Sequence, residues 1–86
     1  MAIIEEADIM TIEGRGRYCT LWLDEYPEKL RVIDKCLIGG LVFEQIPVHF
    51  NFHDAKKQME TAYIAIKVDG VDLPSDWFVG QEVVPA

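Results

Sequence analysis

His49, His53 and Asp54 form the tightest group of side chains in the sequence that could bind a metal or move a proton. Two imidazoles and a carboxylate suit zinc, and a histidine held by an acid suits general-base catalysis. The residues between the histidines look extended, so the spacing differs from that of two ligands on one helix. A strand histidine, a loop histidine and a helix-capping aspartate explain the same residues without chemistry, and we favour that structural interpretation.

Cys19 and Cys36 are the two candidate thiol nucleophiles. A reactive thiol needs a neighbouring base and an electropositive setting, whereas each of these cysteines falls on an apolar face of its segment. The acidic start of the chain lacks the basic region and the apolar run of a signal peptide. We therefore expect buried free thiols and a cytoplasmic location, because disulfides are rare in reducing compartments.

No other pattern in the sequence predicts catalysis. Gly14-Arg15-Gly16 lacks the preceding strand, the following helix and the length of a phosphate-binding loop. The many carboxylates are explained by turns and solvated faces. We predict no catalytic residue, no metal site and no cofactor, and a non-enzymatic role is favoured over an enzymatic one.

The charge balance of the chain limits its partners. The 86 residues include 15 acidic and 8 basic side chains, which gives a formal net charge of −7. Such a surface repels nucleic acid and anionic membranes, so we expect neither to be bound directly. No apolar run is long enough to span a membrane. The length predicts one domain over residues 1–86.

Four aromatic residues, Trp22, Tyr26, Trp77 and Phe78, lie near predicted element ends beside acidic residues. If Trp77 and Phe78 were neighbours in a strand, their side chains would point to opposite faces, and one ring would need a cover. Tryptophan and tyrosine are enriched at the energetic centres of protein interfaces. The four are therefore our predicted partner-binding residues, although a helix covering the second face explains them equally well.

The first third of the chain is typical of a β-hairpin. Residues 3–13 tolerate a strand, the glycines of 13–17 suit a turn, and residues 18–23 alternate between two apolar faces. Two apolar faces indicate a central strand or one covered by a helix.

Two segments allow both a helix and a strand. In 28–38 the apolar residues repeat with a helical period, which favours a helix ended by Gly39-Gly40; the alternative is a hairpin turning at those glycines. In 62–68 the alternation favours a strand from Tyr63 to Val68, and a continuing helix is the alternative.

The remaining elements complete an α+β prediction. A strand spans Leu41 to Phe50, a short helix follows Asp54, Asp69-Gly70 turns the chain into a strand reaching Leu73, and a last strand spans Trp77 to Val84. The order β-β-α-β-α-β-β predicts a mostly antiparallel sheet of four to five strands with two short helices packed on one face.

These features together predict a small acidic interaction module in the cytoplasm. A homodimer is one form of the hypothesis, and an inhibitor or decoy of a basic, nucleic-acid-handling protein is another. The alternative is a small enzyme or a metal- or ligand-binding subunit that uses His49, His53 and Asp54.

Overall fold

The structure is a computed structural model, and it describes residues 1–25, 35–46 and 62–86. These residues are mostly β. The predicted α+β fold with two helices on one sheet is wrong, because the described residues form two antiparallel sheets and one helical turn. The elements in chain order are β1 (Ile4–Ile12), β2 (Gly16–Leu23), β3 (Lys35–Ile38), β4 (Leu41–Glu44), β5 (Tyr63–Lys67), α1 (Ser75–Phe78) and β6 (Val83–Pro85).

The two sheets each contain three strands and are joined at both ends. The first has the order β1-β2-β5 and the second the order β4-β3-β6. Isolated bridges link Ile3 with Glu82 and Gln45 with Ile66. Backbone hydrogen bonds flank both bridges. The two sheets are therefore linked at two short contacts, and their inward side chains share one core.

That core is apolar and draws on every strand. The Phe78 ring from α1 lies 5.6 Å from the Phe43 ring of β4, measured between centroids, and thereby connects the helical turn to the second sheet. Burial of such side chains contributes about 1.5–3 kcal/mol each. The residues of the buried apolar cluster are Ala2, Ile4, Cys19, Leu21, Leu23, Cys36, Ile38, Phe43, Ala62, Ile64, Ile66, Val68, Phe78 and Val83.

The predicted first hairpin is confirmed. β1 and β2 pair antiparallel, and β2 is central because β5 pairs with its other side. The register shifts between Ile4, opposite Leu23, and Glu6, opposite Trp22, so Glu5 is an extra residue in β1. This bulge reverses the alternation of inward and outward side chains along β1. Ile4 therefore stays in the core while Glu6 points outward.

The helix predicted within 28–38 is wrong at its described end, where Lys35–Ile38 forms β3 and pairs with β4. Gly39 and Gly40 have φ of +58° and +83°. A two-residue turn that matches the twist of its flanking strands needs positive φ at both positions, and glycine adopts it without a steric cost. The hairpin alternative is thus the correct one, because the glycine pair turns the chain and Cys36 reaches the core.

The strand predicted from Tyr63 is confirmed as β5, in place of a continuing helix. Asp69 and Gly70 do form a turn, since the Val71 N–H donates to the Val68 carbonyl at 3.1 Å. The return strand predicted to reach Leu73 is wrong, because the chain after the turn leaves the sheet. Among the other predicted elements, the helix after Asp54 lies outside the described residues.

The last strand predicted for Trp77 to Val84 is wrong over its first half. Ser75–Phe78 is a helical turn that follows Pro74, and the strand begins only at Val83. Gly80, with φ of +88°, lies between them and redirects the chain. A short apolar run can adopt either structure, so its periodicity did not discriminate here. No helix in the described part of the chain has the length and apolar character needed to cross a membrane.

Candidate protein-binding surface

β1 is the most exposed strand of the first sheet. Its inward residues Ala7 and Ile9 are only half-buried, and its outward residues are open to solvent. The side chains of Met10 and Ile12 are 45% and 40% exposed. Natural sheets usually protect such a strand, because an exposed strand can pair with another chain.

The hydrogen-bonding direction of β1 follows from that of β2. The Leu23 N–H donates to the Ala62 carbonyl and the Val68 N–H donates to the Arg17 carbonyl, so the odd-numbered residues of β2 face β5. The backbone groups of successive strand residues alternate in direction, so the even-numbered residues of β2 face β1. In the register of the hairpin, their partners are Glu6, Asp8, Met10 and Ile12.

The backbone groups of Ala7, Ile9 and Thr11 consequently point to the other edge of β1. The segment around Gln81 pairs with that edge at Ile4, where the Ile4 N–H donates to the Gln81 carbonyl at 2.9 Å. The helical turn α1 packs against β1, but across residues 1–25, 35–46 and 62–86 no strand pairs with this edge beyond Ile4. We call the edge formed by Ala7, Ile9 and Thr11 the open edge.

Carboxylates accumulate along the first half of β1. Glu5, Glu6 and Asp8 are exposed, and β1 itself contains no basic residue. The Ile3 N–H donates to Asp24 Oδ1 at 2.8 Å, and Glu82 bridges Ile3 through its backbone. At about 3.3 Å per residue, the stretch from Ile3 to Asp8 is roughly 17 Å long. We call the carboxylates of Glu5, Glu6, Asp8, Asp24 and Glu82 the acidic stretch.

The basic side chains of the described residues lie elsewhere. Arg17 is half-buried at the turn end of the hairpin, where its Nη1 donates to the Val71 carbonyl at 3.2 Å. Arg15 lies in the same turn, and Lys67 is at the far end of β5, opposite Tyr18. Lys35 pairs with Glu44 in the second sheet. The Met1 ammonium forms a salt bridge with Glu25 and interacts electrostatically with Asp24 and Glu82, whereas Glu5, Glu6 and Asp8 form no salt bridge with a described residue.

Trp22 borders the acidic stretch. It lies in β2 directly opposite Glu6, on the outward face, and is half-buried. An antiparallel pair places the Cβ atoms of opposite residues about 5 Å apart, so Trp22 and Glu6 are cross-strand neighbours. Among the three predicted partner-binding residues that the structure describes, Trp22 is therefore the one that lies beside the acidic stretch.

Trp77 and Phe78 occupy a different setting. Their rings meet edge to face with centroids 5.0 Å apart, as expected for aromatic pairs in proteins. Phe78 is fully buried, so its ring belongs to the core. Trp77 is half-buried and covers Gly39, where an added Cβ would lie 2.7 Å from the indole. The prediction assumed that Trp77 and Phe78 are neighbours in a strand and point to opposite faces. They lie in a helical turn instead, and both rings have a structural role.

Tyr26, the fourth predicted partner-binding residue, lies outside the described residues, as do His49, His53 and Asp54. Within residues 1–25, 35–46 and 62–86, no three His, Cys, Asp or Glu side chains are grouped so as to hold a metal ion.

Both cysteines are buried free thiols, as predicted. Burial raises the pKa of the Cys19 and Cys36 thiols from 9.0 to about 11. A thiol with a raised pKa carries little thiolate near neutral pH and is a poor nucleophile. These groups therefore act as small apolar side chains of the core.

A shallow cleft of about 240 Å³ lies at the start of the chain. Its lining includes the carboxylates of Glu25 and Glu82 and the apolar side chains of Val84 and Pro85. Met1 also lines the cleft, and its ammonium forms a salt bridge with Glu25, so one of the two carboxylates is already paired with a cation.

The open edge and the acidic stretch were missed by the sequence-based search for partner residues, which selected large aromatics. The signal was present in part, because Glu6 and Asp8 share a spacing of two residues with the exposed Met10 and Ile12. That spacing places all four on one face of a strand. The position of β1 at a sheet edge depends on long-range pairing and is not visible in the local pattern.

Comparisons of the chain with protein-family models, with curated protein sequences and with solved structures gave no match.

Proposed function

We propose that this protein is an acidic interaction module that binds a basic segment of another protein through β1. The observation that carries the proposal is the part of the acidic stretch that lies on β1, where the exposed carboxylates of Glu5, Glu6 and Asp8 follow one another and form no salt bridge with a described residue. Complementary charge steers a basic partner and favours it over an acidic one.

The core supports a binding role over a catalytic one for the described part of the chain. The cysteines have raised pKa values and are buried, and the aromatic pair of Trp77 and Phe78 fills structural space. The described surface includes the acidic stretch and the exposed strand β1. Free thiols in both cysteines also support our proposal of a cytoplasmic location.

One form of this function is inhibition of a basic, nucleic-acid-handling protein, with the acidic stretch occupying the site that otherwise contacts phosphates. The formal net charge of −7 supports it, since an acidic surface competes with nucleic acid for the same basic residues.

The proposal is tested with a synthetic peptide of alternating lysine and valine, titrated into isotope-labelled protein and followed by NMR. We expect saturable binding that weakens at least about tenfold between about 20 mM and about 300 mM sodium chloride, because salt screens exposed charges. The amide signals of β1 should move most.

A matched pair of variants separates local charge from total charge. Glu6→Lys with Asp8→Lys changes the acidic stretch, whereas Glu13→Lys with Asp72→Lys makes the same change of charge at exposed positions outside it. We expect the first pair to abolish binding and the second to weaken it only slightly. Equal losses from the two pairs, or no binding of the peptide at low salt, would refute the proposal.

A further inference from the structure

We propose that the basic partner binds as an added antiparallel strand along the open edge of β1. This inference rests on the proposed function and specifies how the partner binds. It concerns the backbone of Ala7, Ile9 and Thr11, whereas the proposed function concerns the carboxylates on the neighbouring positions.

The first step of the argument is the unused hydrogen-bonding capacity. Ala7, Ile9 and Thr11 direct their N–H and C=O groups away from β2, and within the described ranges no strand takes them up. An extended peptide adds to such an edge through main-chain hydrogen bonds, with side-chain contacts providing selectivity.

The second step is the length and shape of the edge. The bulge at Glu5 ends the pairing with the segment around Gln81, and from Glu6 to Ile12 the register with β2 is regular. Seven residues in regular register span about 20 Å, which is the length of an ordinary strand. A partner segment of five to seven residues, by the same measure about one strand, would match it.

The third step is the choice of occupant. A strand added beside β1 places its own side chains next to Glu6 and Asp8 on the outward face, so positive charge at alternate positions is favoured. A second copy of this chain is disfavoured, because each copy has a net charge of −7 and the two copies repel each other. The occupant is therefore a basic extended segment of another protein.

The geometry makes a specific prediction about the peptide backbone. In an antiparallel arrangement, lysines that lie beside Glu6 and Asp8 alternate with residues that lie opposite Ala7 and Ile9 and exchange hydrogen bonds with them. In the lysine–valine peptide those residues are valines. The valine N–H groups then face β1, and the lysine N–H groups face solvent.

Two N-methylated peptides test this arrangement. One carries methyl groups on the valine amides and the other on the lysine amides, so their charge and composition are identical. We expect the valine-methylated peptide to bind at least about tenfold more weakly than the lysine-methylated peptide, because it loses two or three main-chain hydrogen bonds. Equal affinities of the two methylated peptides would overturn strand addition while leaving the salt-dependent binding of the proposed function intact.

Amide hydrogen exchange of the protein gives an independent readout. In the free protein the Ala7, Ile9 and Thr11 amides should exchange rapidly and the Glu6, Asp8 and Met10 amides slowly. Adding the unmethylated peptide should slow exchange at Ala7, Ile9 and Thr11. Slow exchange of these three amides in the free protein, or a peptide that binds without protecting them, would overturn the proposal. If the protein is a dimer with these amides protected, the edge is occupied by a second copy and the proposal fails.

Discussion

β1 and β2 belong to the same hairpin, yet they have opposite relations to the rest of the molecule. β2 is paired on both sides and directs Cys19, Leu21 and Leu23 into the core. β1 is paired with β2 on one side; α1 packs against it, but beyond Ile4 its other side pairs with no described strand. A strand that is paired on both sides has its backbone hydrogen bonds satisfied within the sheet. A strand that is paired on one side keeps backbone groups and side chains that a partner can bind.

The strongest way to sharpen this comparison is to truncate one side chain in each strand. Leu21 is fully buried and lies between Ala7 and Ile64 in the register of the sheet. We expect Leu21→Ala to lower the free energy of unfolding by about 2–5 kcal/mol, through lost burial and the cavity that remains. Met10→Ala, on the outward face of β1, should change it by less than about 0.5 kcal/mol.

Urea denaturation followed by tryptophan fluorescence measures both changes. If Leu21→Ala does not fold, Ile64→Val provides a smaller deletion in the same layer, with an expected loss of about 0.5–1.5 kcal/mol. A loss for Met10→Ala as large as that for the core variants would mean that β1 is covered, and the contrast between the strands would disappear.

A second prediction concerns the turn end of the hairpin, where β2 is held by the turn after β5. The Arg17 N–H donates to Asp69 Oδ1 at 2.7 Å. Gly16 has φ of +106°, and an added Cβ would lie 2.5 Å from the same Asp69 oxygen. We expect Gly16→Ala to cost about 1–3 kcal/mol of stability, from backbone strain together with displacement of the carboxylate.

Gly14→Ala is the matched control for this position. Gly14 also has positive φ, +79°, but its added Cβ would meet open space. Gly14→Ala then introduces the backbone strain without a contact to Asp69. We expect it to lower the free energy of unfolding by about 1 kcal/mol. Thermal denaturation of both variants measures the difference. Equal costs would show that the Asp69 contact contributes nothing; a smaller cost of Gly16→Ala in an Asp69→Ala background would confirm that it does.

The third and smallest effect is the alkaline pH dependence of Cys19 in β2. Its pKa is raised to about 11 by burial, whereas an exposed thiol ionises near 9.0. Below about pH 9 both states keep the proton and the thiol adds no pH dependence; above it the unfolded thiol ionises first, so stability falls as pH rises towards 11. Cys19→Ala should therefore lose less stability than the native chain between about pH 8 and about pH 10.5.

Urea midpoints of the two proteins at each pH measure this difference. The native thiols should also resist a thiol reagent at neutral pH and react after unfolding. Equal pH dependence of the two proteins, or rapid modification of the folded chain, would mean that Cys19 is reachable from solvent.

Where neighbouring residues alone decided the structure, the sequence was sufficient. The alternation in 18–23 and in 63–68 predicted β2 and β5 correctly, because a strand with one face in the core requires that period. Local chemistry also predicted the buried thiols of Cys19 and Cys36. The glycine turn of the first hairpin belongs to the same class, since its positive φ values are a property of the residue type.

Tertiary structure decided the rest. Residues 35–38 have a pattern that suits either a helix or a strand. Pairing with β4, which follows a turn, and with β6, which is distant in sequence, selected the strand. The extra residue Glu5 reverses which side chains of β1 point inward, and the alternation of residue types does not predict this change. The exposure of Ala7, Ile9 and Thr11 on an open edge depends on where the neighbouring strands end. A sheet edge is a property of the whole arrangement of strands, so the candidate surface became visible only in the folded molecule.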